Sequence, residues 1–305
     1  MRVFITGATG FIGSSIIPQL LEAGHQVLGL TRSDAGAQSL QAAGAEVHRG
    51  SLEDLESLRS GAANSDAVIH TAFNHDAFSP NGGGFPKFIE NCKLDQNAIE
   101  TLGSALAGSN RPLIVSSGIP FDPTPGAAPA GLVTEDVNHP ANAPMPRVSE
   151  PAALATVAKG VRASVIRLPQ VHNTEKQGLV TYLIQTARQK GLSAYVGDGS
   201  SRWAAAHISD VARLYRLVLE KGEAGGRYHA VAEQGVAART IAETIGRGLN
   251  IPVASISAQE AADHFGWFGF FAGLDLAASS EQTQKKLGWR PTGPGLIADL
   301  ENMRY

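Results

Sequence analysis

Apolar positions along the chain alternate between two periods. Val3 to Thr6 form a short β-branched and aromatic run that predicts a buried strand. Glycines follow at positions 7, 10 and 13, and then Phe11, Ile12, Ile16, Ile17, Leu20 and Leu21 fall on one face of a helix. Pro18 lies inside that helix and is expected to bend it, and Gly24 to close it. Continuous apolar runs at 26–31, 46–49, 66–70 and 113–117 predict further strands. Helical spacing predicts helices at 35–43, through Leu52, Leu55 and Leu58, and over 85–107. Ser51 is the expected N-cap of the second of these, with Glu53 and Asp54 in its first turn.

Strand–helix alternation with continuous apolar strands predicts an α/β fold built on a doubly wound parallel sheet of the Rossmann type. Right-handed crossovers bring the C-terminal strand ends to one edge, where ligands bind. Thr6, Thr31, Ser51, Thr71 and Ser117 all lie at or just past such ends. Residues 118–147 are rich in Pro, Gly and Ala without periodicity, so a long loop is expected to cover the site. Beyond it the pattern predicts helices at 150–159, 179–190 and 211–221 and strands at 163–168, 194–196 and 228–232. The final seventy residues read as mostly helical, with Trp267, Phe268, Phe270 and Phe271 as core or as a substrate wall. The expected division is a Rossmann core over 1–170, completed by about 204–235, and a smaller substrate-binding lobe over 171–203 and 236–305.

Composition narrows the function. An apolar share of 43% suits a globular chain, and a net charge of −3 provides no basic patch for nucleic acid or for a membrane surface. Cys92 is the single cysteine, so no internal disulfide can form, and no Cys/His cluster has zinc spacing. No apolar run reaches membrane-spanning length, and Arg2 leads directly into the first strand, so a cytoplasmic protein is expected, as monomer or homodimer with a small-molecule substrate. A strand ending in closely spaced glycines that open a helix is a dinucleotide cradle. The first glycine permits the turn, the second lets a pyrophosphate approach the backbone, and the third lets the helix pack on the strand.

These residues resemble the extended and atypical short-chain dehydrogenase/reductases, the NAD-dependent epimerase/dehydratase-like branch. The likeness rests on Thr6-Gly7-Ala8-Thr9-Gly10-Phe11-Ile12-Gly13, on Val68-Ile69-His70-Thr71-Ala72 and on Arg167-Leu168-Pro169-Gln170-Val171-His172-Asn173. It continues through Gly197-Asp198-Gly199, His207-Ile208-Ser209-Asp210-Val211-Ala212 and Lys286-Leu287-Gly288-Trp289-Arg290-Pro291. The resemblance implies that Gly7, Gly10, Phe11, Ile12 and Gly13 hold the pyrophosphate, that Ser51 and Leu52 flank the adenine, and that Thr71, Ala72 and Phe73 line the inner ribose. It also brings Pro169 to Val171 to the nicotinamide; Thr9 and Ser116 complete the expected contacts. Where an acidic residue at the end of the second strand would favour NAD, Arg32 and Ser33 stand instead, and a guanidinium with a hydroxyl suits a 2′-phosphate. NADP(H) is therefore expected over NAD(H).

The family's chemistry uses a Tyr-x-x-x-Lys pair after the fifth strand. No tyrosine precedes Tyr182. With Ser149 aligned to the serine before the lysine, Pro146 takes the tyrosine position and Glu150 the lysine position, and Gly118 takes that of the helping hydroxyl. Two readings stay open. In one, the protein reduces a small apolar ketone or aldehyde with a substituted proton donor, for which Ser117 and His172 lead over Tyr182 and Arg147. In the other, it binds NADP(H) without turnover, as a redox sensor or interaction module. Arg202 is expected either to bind an anion or to pair internally, for example with Asp210. Sugar-nucleotide epimerisation or dehydration is disfavoured, because it leans on the missing tyrosine.

Overall fold

The chain divides into two units. A computed structural model describes residues 1–78, 83–121, 131–138 and 148–305. In chain order the elements begin β1 (Arg2–Thr6), α1 (Phe11–Glu22), β2 (Gln26–Thr31), α2 (Asp34–Ala42), β3 (Glu46–Arg49), α3 (Leu55–Ala63) and β4 (Ala67–His70). They continue with α4 (Gly84–Ala105), β5 (Pro112–Gly118), α5 (Ser149–Ala155), β6 (Arg162–Leu168), β7 (Gln170–His172), α6 (Val180–Lys190), β8 (Ser193–Val196), β9 (Arg202–His207) and α7 (Ile208–Lys221). The last are β10 (Arg227–His229), β11 (Glu233–Ala237), α8 (Ala238–Leu249), β12 (Val253–Ile256), α9 (Ala258–Phe265), α10 (Gly269–Ala272), α11 (Glu281–Leu287) and α12 (Leu296–Asn302).

The first unit comprises Met1–Ser117, Met145–Arg167 and Val211–Tyr228. Its sheet has the strand order β10-β6-β5-β4-β1-β2-β3, with β1 parallel to both β2 and β4. This is the doubly wound parallel sheet that the alternating pattern predicts. The chain leaves β1 toward β2 and β3, then crosses back to β4, so the order reverses between β1 and β4 and a crevice opens at their C-terminal ends. Central strands are buried on both faces: every residue of β4, and Val3 to Thr6 of β1, is buried. That is why they read as apolar runs and not as alternating ones. Phe4, Leu58, Val68, Ile99, Leu102, Leu113 and Val165 meet in one core. Helix α1 runs on through Pro18 to Glu22. It ends in a Schellman turn, Gly24 N–H donating to Leu21 O and His25 N–H to Leu20 O, with Gly24 at φ +79.

The second unit comprises Gly118–Pro144, Leu168–Asp210 and His229–Tyr305. Helices α8 to α12 make its last seventy residues mostly helical, as expected, and short strands join them. Strand β9 pairs antiparallel with β11 and parallel with β7, and β8 pairs parallel with β12. These pairings correct the expected division. Strands β9 and β11 find their partners within the second unit, so the stretch that returns to the Rossmann unit is Val211–Tyr228 and not 204–235. Trp203, Ile184, Ile241, Ile245, Phe265, Phe268, Leu296 and Leu300 form the core of this unit. Asp210 ties its ends together. Its carboxylate accepts from Thr292 N–H and Gly293 N–H (3.0 and 2.8 Å), and its carbonyl accepts from the Trp289 indole (3.0 Å). Asp210 is therefore occupied by backbone. Arg202 pairs instead with Asp275, Nη2 to Oδ2 at 2.7 Å.

A second correction concerns α3. It begins at Leu55, and its N-cap is Asp54, whose Oδ1 accepts from Ser57 N–H at 3.0 Å. A carboxylate three residues further along the chain stands directly before the first turn, where Ser51 does not, so Ser51, Leu52 and Glu53 stay in the loop.

Asp210→Ala would remove the buried carboxylate that holds the Thr292 and Gly293 N–H groups. It is expected to cost roughly 2–4 kcal/mol, read as a lower denaturant midpoint at an unchanged m-value. A midpoint within error of the native one would show that the clamp carries no stability.

Candidate functional site: a dinucleotide cleft

The turn between β1 and α1 has no room for a side chain at its glycine positions. Gly7 sits at φ +71, and a Cβ there would lie 2.7 Å from Ala72 N. A Cβ on Gly13 would lie 2.1 Å from Gly7 O, and one on Gly10 3.1 Å from the same oxygen. Gly10 N–H donates to Gly7 O at 2.9 Å and closes the turn. Helix α1 then starts at Phe11 with no side-chain cap and no acidic residue in its first turn. Its N-terminus keeps its dipole for an anion.

A cleft of about 600 Å³ opens beside this turn. Gly7, Thr9, Gly10, Phe11, Ile12 and Gly13 form one wall, and Arg32 and Ser33, leaving β2, form another. Ser51 and Leu52, past β3, and Thr71, Ala72 and Phe73, past β4, complete it. The structure thus brings together thirteen of the expected cofactor residues in a cradle that any side chain in the glycine positions would fill. Ser33 also caps α2, its Oγ accepting from Gly36 N–H at 3.1 Å. Of the remaining expected contacts, Pro169 and Val171 belong to the second unit, and Ser116 lies inside β5. The Ser116 hydroxyl donates to His70 O (3.0 Å) and lies 2.6 Å from Tyr215 Oη.

Glu53, Asn74 and His75 line the cleft as well, and sequence reasoning did not place them there. Glu53 had a competing assignment in the first turn of α3, and only its distance from the true cap at Asp54 releases it. The Ser51 hydroxyl and its own backbone N–H hold the Glu53 carboxyl below its ordinary range against the opposing effect of burial, with smaller help from the Arg32 charge and Asn74.

Beneath the cleft runs a buried polar chain. The Thr6 hydroxyl meets His70 Nδ1 at 2.7 Å, His70 Nε2 meets Asp95 Oδ1 at 3.0 Å, and Ser149 Oγ donates to Asp95 Oδ2 at 2.5 Å. It joins the end of β1 to β4, α4 and the start of α5. The next residue, Glu150, is buried and accepts from Arg167 through both oxygens (2.8 and 2.7 Å) and from Arg227 Nε (2.7 Å). Its carboxylate is fully used in a charge cluster of this unit. Ser117 is buried at the end of β5. Pro146 and Arg147 lie outside the described residues, as does most of the 118–147 loop.

His172 lies in the second unit and is fully buried. Its Nδ1 donates to Asp299 Oδ2 at 2.6 Å, and its Nε2 faces Glu233 Oε2 at 3.9 Å without a hydrogen-bond partner among the described residues. Burial pushes its pKa below the ordinary 6.5, against the pull of Asp299 and Glu233. Tyr182 is half-buried between aromatic neighbours, 5.1 Å from the Trp267 ring and 5.6 Å from Phe268. Trp267 and Phe270 are exposed, while Phe268 is core. Among the described residues, no group of three or more His, Cys, Asp or Glu is placed to hold a metal, and no helix is long and apolar enough to cross a membrane.

The sequence profile of the NAD-dependent epimerase/dehydratase family matches residues 3–232. The chain belongs to this family. An uncharacterised protein of Schizosaccharomyces pombe is 45% identical over 307 residues, covering 100% of both chains. A 4-hydroxy-2-methyl-3-oxo-4-farnesyl-3,4-dihydroquinoline-1-oxide ketoreductase of Stigmatella aurantiaca is 24% identical over 282 residues, 87% of this chain and 80% of that one. Among solved structures, a dTDP-glucose 4,6-dehydratase from Streptomyces venezuelae with NAD bound superimposes at a TM-score of 0.73. It shares 21% identity over 98% of this chain and 96% of that one, a likeness of fold.

Two outcomes follow for this site. Gly13→Ala forces its new methyl into Gly7 O and should weaken dinucleotide binding by more than about tenfold, with a stability cost of about 1–3 kcal/mol; unchanged titration curves would show that the turn can give way. His172 binds a proton less readily folded than unfolded. Its stabilising effect is therefore present above the ordinary 6.5 and is lost as pH falls below it. His172→Gln should flatten the fall in unfolding free energy between about pH 6.5 and pH 5, and an unaltered slope would count against the buried neutral imidazole.

Proposed function

We propose that the protein is an NADP(H)-dependent oxidoreductase that reduces a small apolar ketone or aldehyde. The observation that carries this reading is Arg32 with Ser33 on the wall of the glycine-loop cleft. A guanidinium offers a 2′-phosphate a planar, charge-assisted fork, and the Ser33 hydroxyl adds a donor. The glycine turn and the uncapped start of α1 hold the pyrophosphate. Ser51 and Leu52 flank the adenine, Thr71, Ala72 and Phe73 the inner ribose, and Ser116 the nicotinamide end. When bound, the dinucleotide supplies the hydride. Ser117, at the end of β5, orients the carbonyl and handles its proton. His172, the second candidate for that proton, is buried with Asp299 on Nδ1 and has no hydrogen-bond partner on Nε2 among the described residues. The aromatic group of Tyr182, Trp267, Phe270 and Phe271 favours an apolar substrate, and the Stigmatella aurantiaca relative is itself a ketoreductase.

One observation favours a second reading, an NADP(H) binder without turnover. Glu150, aligned with the family's lysine, is locked between Arg167 and Arg227, so its carboxylate serves the fold and not a proton transfer.

Titration with both reduced cofactors, followed by NADPH oxidation against a panel of apolar ketones and aldehydes, separates these readings. The reductase reading expects tighter NADPH than NADH binding, turnover with at least one carbonyl, and a Ser117→Ala variant slowed about 10²–10⁴-fold in kcat with little change in NADPH binding. Tighter NADH binding overturns the NADP(H) assignment, and tight NADPH binding with no oxidation across the panel establishes the binder.

A further inference from the structure

Among the described residues lining the cleft, Arg32 is the only arginine or lysine, and Glu53 is the only carboxylate. The two leave neighbouring strands. Strand β2 runs parallel to β3 with Thr31 opposite Arg49, and Gly50 N–H donates to Thr31 O at 3.2 Å. The segments carrying Arg32 and Glu53 therefore start side by side. Both side chains are exposed to the cleft. The capping of α3 does not use Glu53: Asp54 supplies the cap and Glu56 the acidic residue of the first turn. A carboxylate that the helix does not use thus stands on the wall of an anion-binding cleft, next to its cation. Arg32 is among the groups that keep Glu53 ionised, which places the two charges within electrostatic reach of each other.

We propose that Glu53 is a specificity-determining residue of this cleft. Its carboxylate offsets the Arg32 charge within the cleft and repels a 2′-phosphate, so cofactor preference is set by Arg32 and Glu53 together and not by Arg32 alone. The proposal rests on the NADP(H) reading of Arg32. Before a ligand arrives, the pair has no net charge. A 2′-phosphate brings about 1.5–2 negative charges near pH 7 and must compete with Glu53 for the guanidinium. A ribose 2′-hydroxyl brings no charge, and it can donate to a carboxylate. Glu53 therefore opposes the phosphorylated dinucleotide selectively and holds the preference for it below what Arg32 by itself would give.

The test is a binding titration of Glu53→Gln with NADPH, NADH, adenosine 2′,5′-bisphosphate and AMP, at low and high salt. Glu56→Gln is the control: it removes the same charge from α3 at a residue paired with Arg59 and outside the cleft lining. The expected result is a roughly three- to tenfold gain in affinity for NADPH and for the bisphosphate, the size of a partly screened charge interaction. NADH and AMP should change by less than about twofold, Glu56→Gln should leave all four ligands unchanged, and the gain should fade at high salt. Unchanged or weaker NADPH binding in Glu53→Gln overturns the proposal, as do equal gains for both dinucleotides or an equal effect of Glu56→Gln. The native protein's own NADPH-to-NADH ratio tests the NADP(H) reading separately, because the Glu53 effect is read as a change in that ratio whichever cofactor is preferred.

Discussion

The cleft depends on the approach of one backbone segment to another. Gly13, in the first turn of α1, comes so close to the Gly7 carbonyl that a methyl group would collide with it. That contact sets where the helix starts relative to the sheet, and it leaves the N-terminal N–H groups facing the crevice at the reversal of strand order. Gly7 adds the left-handed turn that makes the approach possible, tucked against Thr71 and Ala72. Anion binding here is a property of backbone geometry, and side chains from β2, β3 and β4 then decide which anion fits.

Charge is handled differently under the cleft and on its walls. Below, ionisable groups are buried with full sets of partners: His70 with Thr6 and Asp95, and Glu150 with Arg167 and Arg227. Such pairs are costly to break and add little beyond what apolar packing would give, so their effect is to hold β1, β4, α4 and α5 in one arrangement. On the walls, Arg32 and Glu53 are exposed to solvent. Glu150, which the proposed alignment sets at the family's lysine position, is part of the buried set. On that proposal Ser117, at the end of β5, is the hydroxyl nearest in sequence to the family's helping residue.

Much of the first unit was legible in the sequence, because its signals are local. Buried parallel strands must be apolar throughout, the glycine spacing has one economical explanation, and the segment after each strand falls at the ligand edge. Arg32 and Ser33 could be read for the same reason. The second unit was less legible. Strand β7 has only three residues, and β9 pairs antiparallel with β11 but parallel with β7, so neither this pairing nor the true boundary of the returning segment has a local signature. Arg202 shows the same limit: its partner is Asp275, seventy-three residues away, while the nearer Asp210 is taken by the backbone of Thr292 and Gly293.

The sequence by itself determined the sheet, the glycine turn and the family, since hydrophobic period and steric permission are written residue by residue. Only the tertiary structure decided which charges meet. It moved the cap of α3 from Ser51 to Asp54 and so released Glu53 to the cleft. It buried His172 against Asp299, and it locked Glu150 between two arginines. Each of these outcomes depends on which side chains desolvate together, and that is settled by packing between segments far apart in the chain.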